Sequence, residues 1–142
     1  MKNILVAVDF SDNTELLINK AIDLAKGFSS IVFLIHVESP NGDVSGCETI
    51  DGIDEIHQEF HKEAVLLNRL AQTIRDHSIE THAIFVEGVI VDSILEEARR
   101  VKANVIIAGT HGHNVIEGLF LGGVSQGIVK QSTCPVLLVP SV

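Results

Sequence analysis

The chain has 142 residues with a formal net charge of -9, and hydrophobic residues make up 46% of it. A chain of this length buries roughly 68–70% of the surface that its unfolded form exposes, so a single domain over residues 1–142 is the simplest organisation. The acidic balance argues against nucleic acid or an anionic membrane as a partner, and since there is no signal-peptide pattern and no apolar stretch long enough to span a bilayer, we expect a cytoplasmic protein.

The first predicted element is a strand over residues 3–8, where apolar residues follow one another almost without interruption until Asp9. Such a continuous run is typical of a strand that is buried on both faces. Ser11 or Asp12 is suited to cap the helix that follows, and Gly27 is suited to end it.

The second predicted strand covers residues 31–37 and leads into the loop 38–52, which is rich in Gly, Ser and Asp. Irregular segments of this length are uncommon unless they are functional or mobile. A long helical pattern then covers residues 53–77, and residues 81–86 form the third predicted strand.

The last third of the chain repeats the alternation of helix and strand. Asp92 is placed to cap a helix, residues 105–108 form a fourth strand, and residues 124–131 form a short helix. The final predicted strand covers residues 135–139 and tolerates proline at its first position.

Five apolar strands that alternate with helices predict an α/β fold: one doubly wound, five-stranded parallel sheet with helices on both faces. In such sheets ligands bind outside the carboxyl ends of the strands, where the winding reverses. Asp9, Val37 and Gly109 stand at such ends. We therefore expect these three residues to lie along one rim.

Glycines are concentrated between the fourth strand and the last helix, at Gly109, Gly112, Gly122 and Gly123. Backbone N–H groups without side chains at a strand end and a helix start form a natural anion cradle, and Ser125 can add a hydroxyl. This loop predicts a phosphate-bearing small molecule as ligand, although tight turns alone would also use glycine here.

Four separated segments, in order and at suitable spacing, resemble the universal stress protein family: residues 4–11, His36–Val37, the glycine pattern from Gly109 to Gly122, and residues 134–139. The resemblance covers essentially the whole chain. It implies the strand order 3-2-1-4-5 and, in the nucleotide-binding branch of the family, ATP or AMP as the ligand.

The resemblance also implies roles for individual residues in nucleotide binding. Ala7 and Asp9 are expected at the adenosine side, the backbone of Val37 at the adenine edge, and Ala108 and Gly109 beside the ribose. The phosphates are expected at Gly112, Gly122, Gly123, Val124 and Ser125.

Two positions depart from the pattern of nucleotide-binding members. Gly123 stands where they commonly have Ser or Thr, and His113 stands where they often have a basic residue. We expect a phosphate affinity that is lower, dependent on Mg²⁺ or Mn²⁺, or sensitive to pH through His113.

Several residues also have simpler structural interpretations. Asp9 is equally suited to capping the first helix, His36 to a hydrogen-bonded place in the core, and Cys134 to a buried thiol. His57 and His61 lie four apart without a third ligand in view, so a solvated helix face is favoured over a metal site.

The sequence therefore predicts a stress-response protein that binds ATP or AMP as a signalling or structural ligand. The alternative is a family member without nucleotide that acts through contacts with a protein partner. A slow ATPase or phosphotransferase comes third, because no general base and no phosphate-binding lysine is apparent.

The last strand predicts a homodimer. The strand order places residues 136–139 at a sheet edge, and this edge is apolar and carries no charged residue that would prevent association. The resemblance implies antiparallel pairing of two such strands across a twofold axis.

Overall fold

The computed structural model describes residues 1–40, 50–110 and 123–141, with side chains in the second helix described from Lys62 onward. Five strands and four helices alternate within these ranges. The strands are β1 (Asn3–Ala7), β2 (Ile31–Glu38), β3 (Thr81–Glu87), β4 (Val105–Gly109) and β5 (Val136–Val139). The helices are α1 (Thr14–Phe28), α2 (Ile50–Arg75), α3 (Ile90–Arg100) and α4 (Gly123–Gln131).

All strand pairs are parallel, and the sheet has the order β3-β2-β1-β4-β5. This confirms the predicted doubly wound fold. β1 lies at the centre, and its residues Ile4, Leu5 and Val6 are completely buried, as expected for a strand covered on both faces. The chain winds to one side of β1 through β2 and β3 and to the other through β4 and β5, so the winding reverses between β1 and β4.

Each face of the sheet has its own hydrophobic core. α1 and α2 cover one face, where residues such as Leu17, Leu67 and Ile107 pack together. α3 and α4 cover the other face with Ile94, Ile128 and their neighbours. Because side chains alternate along a strand, consecutive strand residues belong to different cores.

The residues predicted to start and to end α1 are both wrong. The helix starts at Thr14 after Asn13, because the chain first turns: the Ser11 N–H donates to Asp9 Oδ1 at 3.0 Å and the Thr14 N–H to the Ser11 carbonyl at 3.0 Å. At the other end the helix passes through Gly27 to Phe28, and Ser29 supplies the left-handed residue, with φ of 53°.

Three further expectations need correction. α3 starts at Ile90 after Val89, so Asp92 lies in its first turn instead of capping it, where a carboxylate still favours the helix dipole. Residues 50–52 belong to α2 and not to a loop, and residues 41–49 lie outside the described part. Cys134, expected to be buried, is a half-buried free thiol packed against the α3/α4 side.

In the part of the chain that the structure describes, no helix combines the length and the apolar character that crossing a membrane requires.

Candidate functional site

A cavity of about 410 Å³ lies at the carboxyl end of β1, beside the point where the winding of the sheet reverses. Its walls come from the ends of β1, β2 and β4 and from all four helices. This is the position at which doubly wound sheets bind small molecules, and the volume lies within the range of ligand pockets.

Seven of the sequence-predicted site residues line this cavity: Ala7, Asp9, Val37, Ala108, Gly109, Val124 and Ser125. Gly123 forms the first residue of α4 and is not part of the lining. The expected contributions of Gly112, His113 and Gly122 fall outside the described residues. The structure thus brings together residues from positions 7 to 125, and their roles in binding a ligand stay predictions.

The backbone of Val37 is directed toward the end of β1. The Val8 N–H donates to the Ile35 carbonyl across these two strands at 2.9 Å. Alternate residues of a parallel strand direct both backbone polar groups to the same neighbour, so Val37 faces the β1 side as Ile35 does. Because Val8 is the last residue after β1 that bonds to β2 in this way, the N–H and C=O of Val37 lie alongside the space past Val8.

Small side chains leave space in the part of the cavity beside Val37. Ala7 is the last residue of β1 and Ala108 the last but one of β4, and both pack on the α3/α4 side of the sheet in the same core as Val37. Ile90 and Ile94 from α3 close this part of the cavity with apolar surface. The arrangement forms a slot that can accept a flat apolar group next to a backbone donor and acceptor.

The start of α4 lies next to this slot. Ser125 is 4% exposed, and its hydroxyl donates to the carbonyls of Gly109 and Thr110 at 2.5 and 3.2 Å. These bonds tie the helix start to the end of β4. The first N–H groups of a helix have no acceptor within it, so the first turn of α4 offers donors for an anion.

Phe10 follows Asp9 in the turn after β1 and adopts a left-handed backbone with φ of 59°. Bulky residues rarely adopt this conformation, which persists where the surroundings hold it in place. Its ring packs against His36 with the ring centroids 4.5 Å apart. The turn thus places the Phe10 ring on the α1/α2 side of the cavity.

On that side the structure shows a cluster of three side chains: His36, Glu38 and Glu63, which we call the His–Glu cluster. His36 Nε2 lies 3.1 Å from Glu38 Oε2 and 3.2 Å from Glu63 Oε2. Its Nδ1 lies 2.8 Å from the Val8 carbonyl. His36 is only 7% exposed, so its hydrogen-bonded position in the core is as predicted.

The two carboxyl groups of the cluster have opposite pKa shifts. Burial, followed by the neighbouring Glu38 carboxyl, raises the pKa of Glu63 to about 7. The hydrogen bond from Glu63 lowers the pKa of Glu38 below its usual value, and His36 adds to this effect. Two carboxyls in close approach do not both ionise readily, so as the pH falls below about 7 the pair takes up one proton, on Glu63.

Sequence reasoning missed both glutamates of this cluster. Glu38 could have been found, because it follows His36 by two residues in a strand and therefore shares its face. Glu63 carries no such signal, since its place depends on how α2 docks against β2.

The fold and the cavity define a class of protein: a doubly wound α/β domain with a small-molecule cleft at the reversal of its sheet. A model of the universal stress protein family matches residues 1–140. Universal stress protein MJ0531 of Methanocaldococcus jannaschii is 31% identical over 140 residues, which cover 97% of this chain and 81% of the relative. The chain therefore belongs to the universal stress protein family.

Two further relatives extend the comparison. Universal stress protein YxiE of Bacillus subtilis is 30% identical over 144 residues, which cover 95% of this chain and 96% of that protein. The solved structure of hypothetical protein MJ0577 superimposes with a TM-score of 0.80 at 26% identity and covers 99% of this chain and 96% of its own.

Two solved structures with the same fold contain nucleotides. A universal stress protein in complex with cAMP has a TM-score of 0.71 at 20% identity and covers 99% of this chain and 98% of its own. The universal stress protein from Archaeoglobus fulgidus in complex with dAMP has a TM-score of 0.66 at 23% identity and covers 97% of each chain.

Proposed function

We propose that this protein binds an adenine nucleotide, ATP or AMP, in the cavity at the end of β1, as a signalling or structural ligand in a stress response. The observation that carries the proposal is the direction of the Val37 backbone. One N–H donor and one C=O acceptor face the space past Val8, and adenine offers an acceptor and an amino donor on one edge. The cAMP and dAMP complexes of proteins with this fold support the same ligand class.

The apolar slot suits the base and the helix start suits the phosphates. The flat ring would lie against Ala7, Ala108 and Ile94, all of which line the cavity. The phosphates would accept hydrogen bonds from the first turn of α4 beside Val124, where the helix dipole favours negative charge.

A metal ion would act by neutralising the charge of the phosphates. No Lys or Arg occurs among the described residues that line the cavity. We propose that Mg²⁺ or Mn²⁺ neutralises bound ATP by binding its phosphate oxygens. AMP carries less charge and is expected to need the ion less.

Nucleotide released from freshly purified, denatured protein and identified by mass spectrometry tests the proposal directly. Calorimetry with AMP, ATP and adenosine then measures the contribution of the phosphates. Adenine nucleotide in the extract, or binding with a preference for phosphorylated ligands, supports the proposal. An empty extract together with no binding of any of the three ligands would favour the family member that acts through a protein partner, and phosphate release in a single turnover would favour a slow ATPase.

Gly123→Ser is expected to strengthen ATP binding more than adenosine binding. Among the described residues a Cβ at Gly123 meets no atom within 4 Å, and the backbone there is not left-handed, so we expect a serine to fit. Its hydroxyl adds one hydrogen bond near the phosphates, worth about 0.5–1.5 kcal/mol, or roughly a two- to twelvefold gain in affinity. Calorimetry on the variant checks this, with Gly123→Ala as the control that adds the Cβ without the hydroxyl. Equal affinities for ATP in both variants would contradict the hydroxyl's role.

We also propose a homodimer formed through β5. This strand lies at the edge of the sheet beside β4, and Leu137 is 38% exposed. An apolar strand edge in a stable protein is normally covered or paired. Antiparallel pairing of two β5 strands would bury this side chain.

Leu137→Lys is expected to dissociate the dimer, because two lysines would face each other across the twofold axis. Leu138 is the less suitable position, since it packs into the α3/α4 core. Analytical ultracentrifugation at micromolar concentration measures the effect, with Val65→Lys on α2 as an exposed apolar control. A wild-type protein that sediments as a 15.4 kDa monomer would rule the dimer out.

A further inference from the structure

We propose that the His–Glu cluster is a binding site for a divalent transition-metal ion such as Zn²⁺ or Mn²⁺, held by His36 Nε2 and one oxygen each from Glu38 and Glu63. This inference goes beyond nucleotide binding and does not depend on it. The three ligand atoms lie within 4.8 Å of one another. They come from two elements, the end of β2 and the middle of α2.

Two of the three distances between the ligand atoms are close to those of a coordination sphere. Ligand atoms at about 2.05 Å from a tetrahedral zinc stand roughly 3.3 Å apart. The measured separations of Nε2 from the two carboxylate oxygens are 3.1 and 3.2 Å. A small ion therefore fits between these atoms with only slight adjustment of the side chains.

The orientation of His36 is already that of a metal ligand. Its Nδ1 lies 2.8 Å from a backbone carbonyl, which can only accept, so Nδ1 carries the proton. Metal-binding histidines use this same bond to fix the ring and to direct the other nitrogen at the ion. Burial and the packed rings of Phe10 and Phe85 hold the imidazole in place.

The charges also favour a cation. Two carboxylates close together repel each other unless a proton or a cation lies between them. The part of the chain that the structure describes places no Lys or Arg in an ion pair with Glu38 or Glu63. A divalent ion would supply the missing charge and would leave one or more coordination positions for water or a ligand from the cavity.

The cluster is separate from the place proposed for a phosphate-bound ion. Ala7, Val37 and Ala108 belong to the α3/α4 core, whereas His36 packs against Phe10 and Phe85, which belong to the α1/α2 core. The strands β2 and β4 are separated by β1, a distance on the order of 10 Å. The cluster therefore lies beside β2 and the proposed phosphate site beside β4, on two sides of the same cavity.

The donor set predicts the preferred metal. One imidazole and two carboxylates suit zinc or manganese, and affinity at such a site follows the order Zn²⁺ above Mn²⁺. Mg²⁺ keeps its water shell and prefers oxygen ligands in octahedral geometry. Of these three ions, we therefore expect Zn²⁺ to bind most tightly and Mg²⁺ most weakly. A site that binds its ion through nucleotide phosphates would instead be expected to favour Mg²⁺.

Titration of the untagged protein with Zn²⁺ by calorimetry, without nucleotide and at about pH 8, where the ligands are deprotonated, tests the proposal. We expect one ion per chain, and a loss of affinity of at least about tenfold in both Glu63→Gln and Glu38→Gln, since even outer-shell changes weaken metal sites by 10- to 100-fold. Binding should also shift the ¹⁵N NMR signal of His36 Nε2. Circular dichroism shows whether the variants are folded.

His82→Gln is the matched control. His82 also pairs with a carboxylate two residues away, with Nε2 3.0 Å from Glu80 Oε2, but the pair is exposed and no third ligand joins it within the described ranges. This variant and the double variant His57→Gln/His61→Gln should both bind zinc like the wild type. The proposal is overturned if the wild type binds no zinc, if both glutamate variants bind it unchanged, or if the double histidine variant loses it.

Discussion

Ala7→Leu is expected to weaken or abolish nucleotide binding while the protein stays folded. Ala7 ends β1 at the floor of the cavity and is only half-buried. A leucine there would occupy the slot beside Val37 that we assign to the base. Overfilling a well-packed site costs about 1–3 kcal/mol, which corresponds to roughly a 5- to 150-fold loss of affinity. Calorimetry with AMP measures this loss, and a thermal melt shows that the fold survives.

Ala83→Leu provides the matched control. Ala83 is also a half-buried strand alanine, but it lies on β3 and packs against the α1/α2 core away from the cavity. It should lower stability to a similar degree and leave nucleotide affinity unchanged. If Ala7→Leu binds AMP as tightly as the wild type, the base does not occupy the slot between Ala7 and Val37.

Ser125→Ala is expected to destabilise the protein more than it changes the preference for phosphates. The Ser125 hydroxyl already donates to the carbonyls of Gly109 and Thr110. Without it, two half-buried carbonyl oxygens lose a donor, and an unsatisfied buried acceptor costs about 1–3 kcal/mol. Urea unfolding measures the free energy of unfolding, and calorimetry compares ATP with adenosine.

Ser132→Ala is the control for this substitution. The Ser132 hydroxyl makes a similar bridge, donating to the Cys134 carbonyl at 2.7 Å in the turn before β5, and it does not line the cavity. It should destabilise the fold without affecting any ligand. If Ser125→Ala instead keeps full stability and loses ATP affinity but not adenosine affinity, then its hydroxyl contacts the phosphates directly.

The sequence predicts the sheet well because the signal is local. A continuous apolar run such as residues 3–8 has few alternatives to a buried strand, and the observed strands agree with the predicted ones to within about two residues. The helix ends were less predictable. Ser29 ends α1 although Gly27 is the better left-handed residue, because the end of a helix depends on where the following strand must begin.

The residues of the candidate site also differ in how well the sequence predicts them. Strand ends in a doubly wound sheet meet at one rim, so Asp9, Val37 and Gly109 could be assigned to one rim from topology alone, and all three line the cavity. Glu63 could not, because it is 25 residues beyond Glu38 in sequence (63 − 38) and only the docking of α2 brings the two together. The sequence likewise does not predict that the Ser125 hydroxyl donates to backbone carbonyls.

The extension of β2 past the end of β1 has a consequence for how this protein can change. Three successive residues, His36, Val37 and Glu38, present imidazole and carboxylate to one face of the sheet and backbone polar groups to the cleft. A strand has a period of two, so inserting or deleting one residue within 31–35 would turn every later side chain to the opposite face. Such an event would place the His36 imidazole and the Glu38 carboxyl on the α3/α4 side of the sheet and the Val37 side chain beside Glu63. Homologues that differ in length at this strand should therefore lack both the His–Glu cluster and the backbone donor and acceptor at the cleft. Point substitutions, in contrast, can remove either one alone.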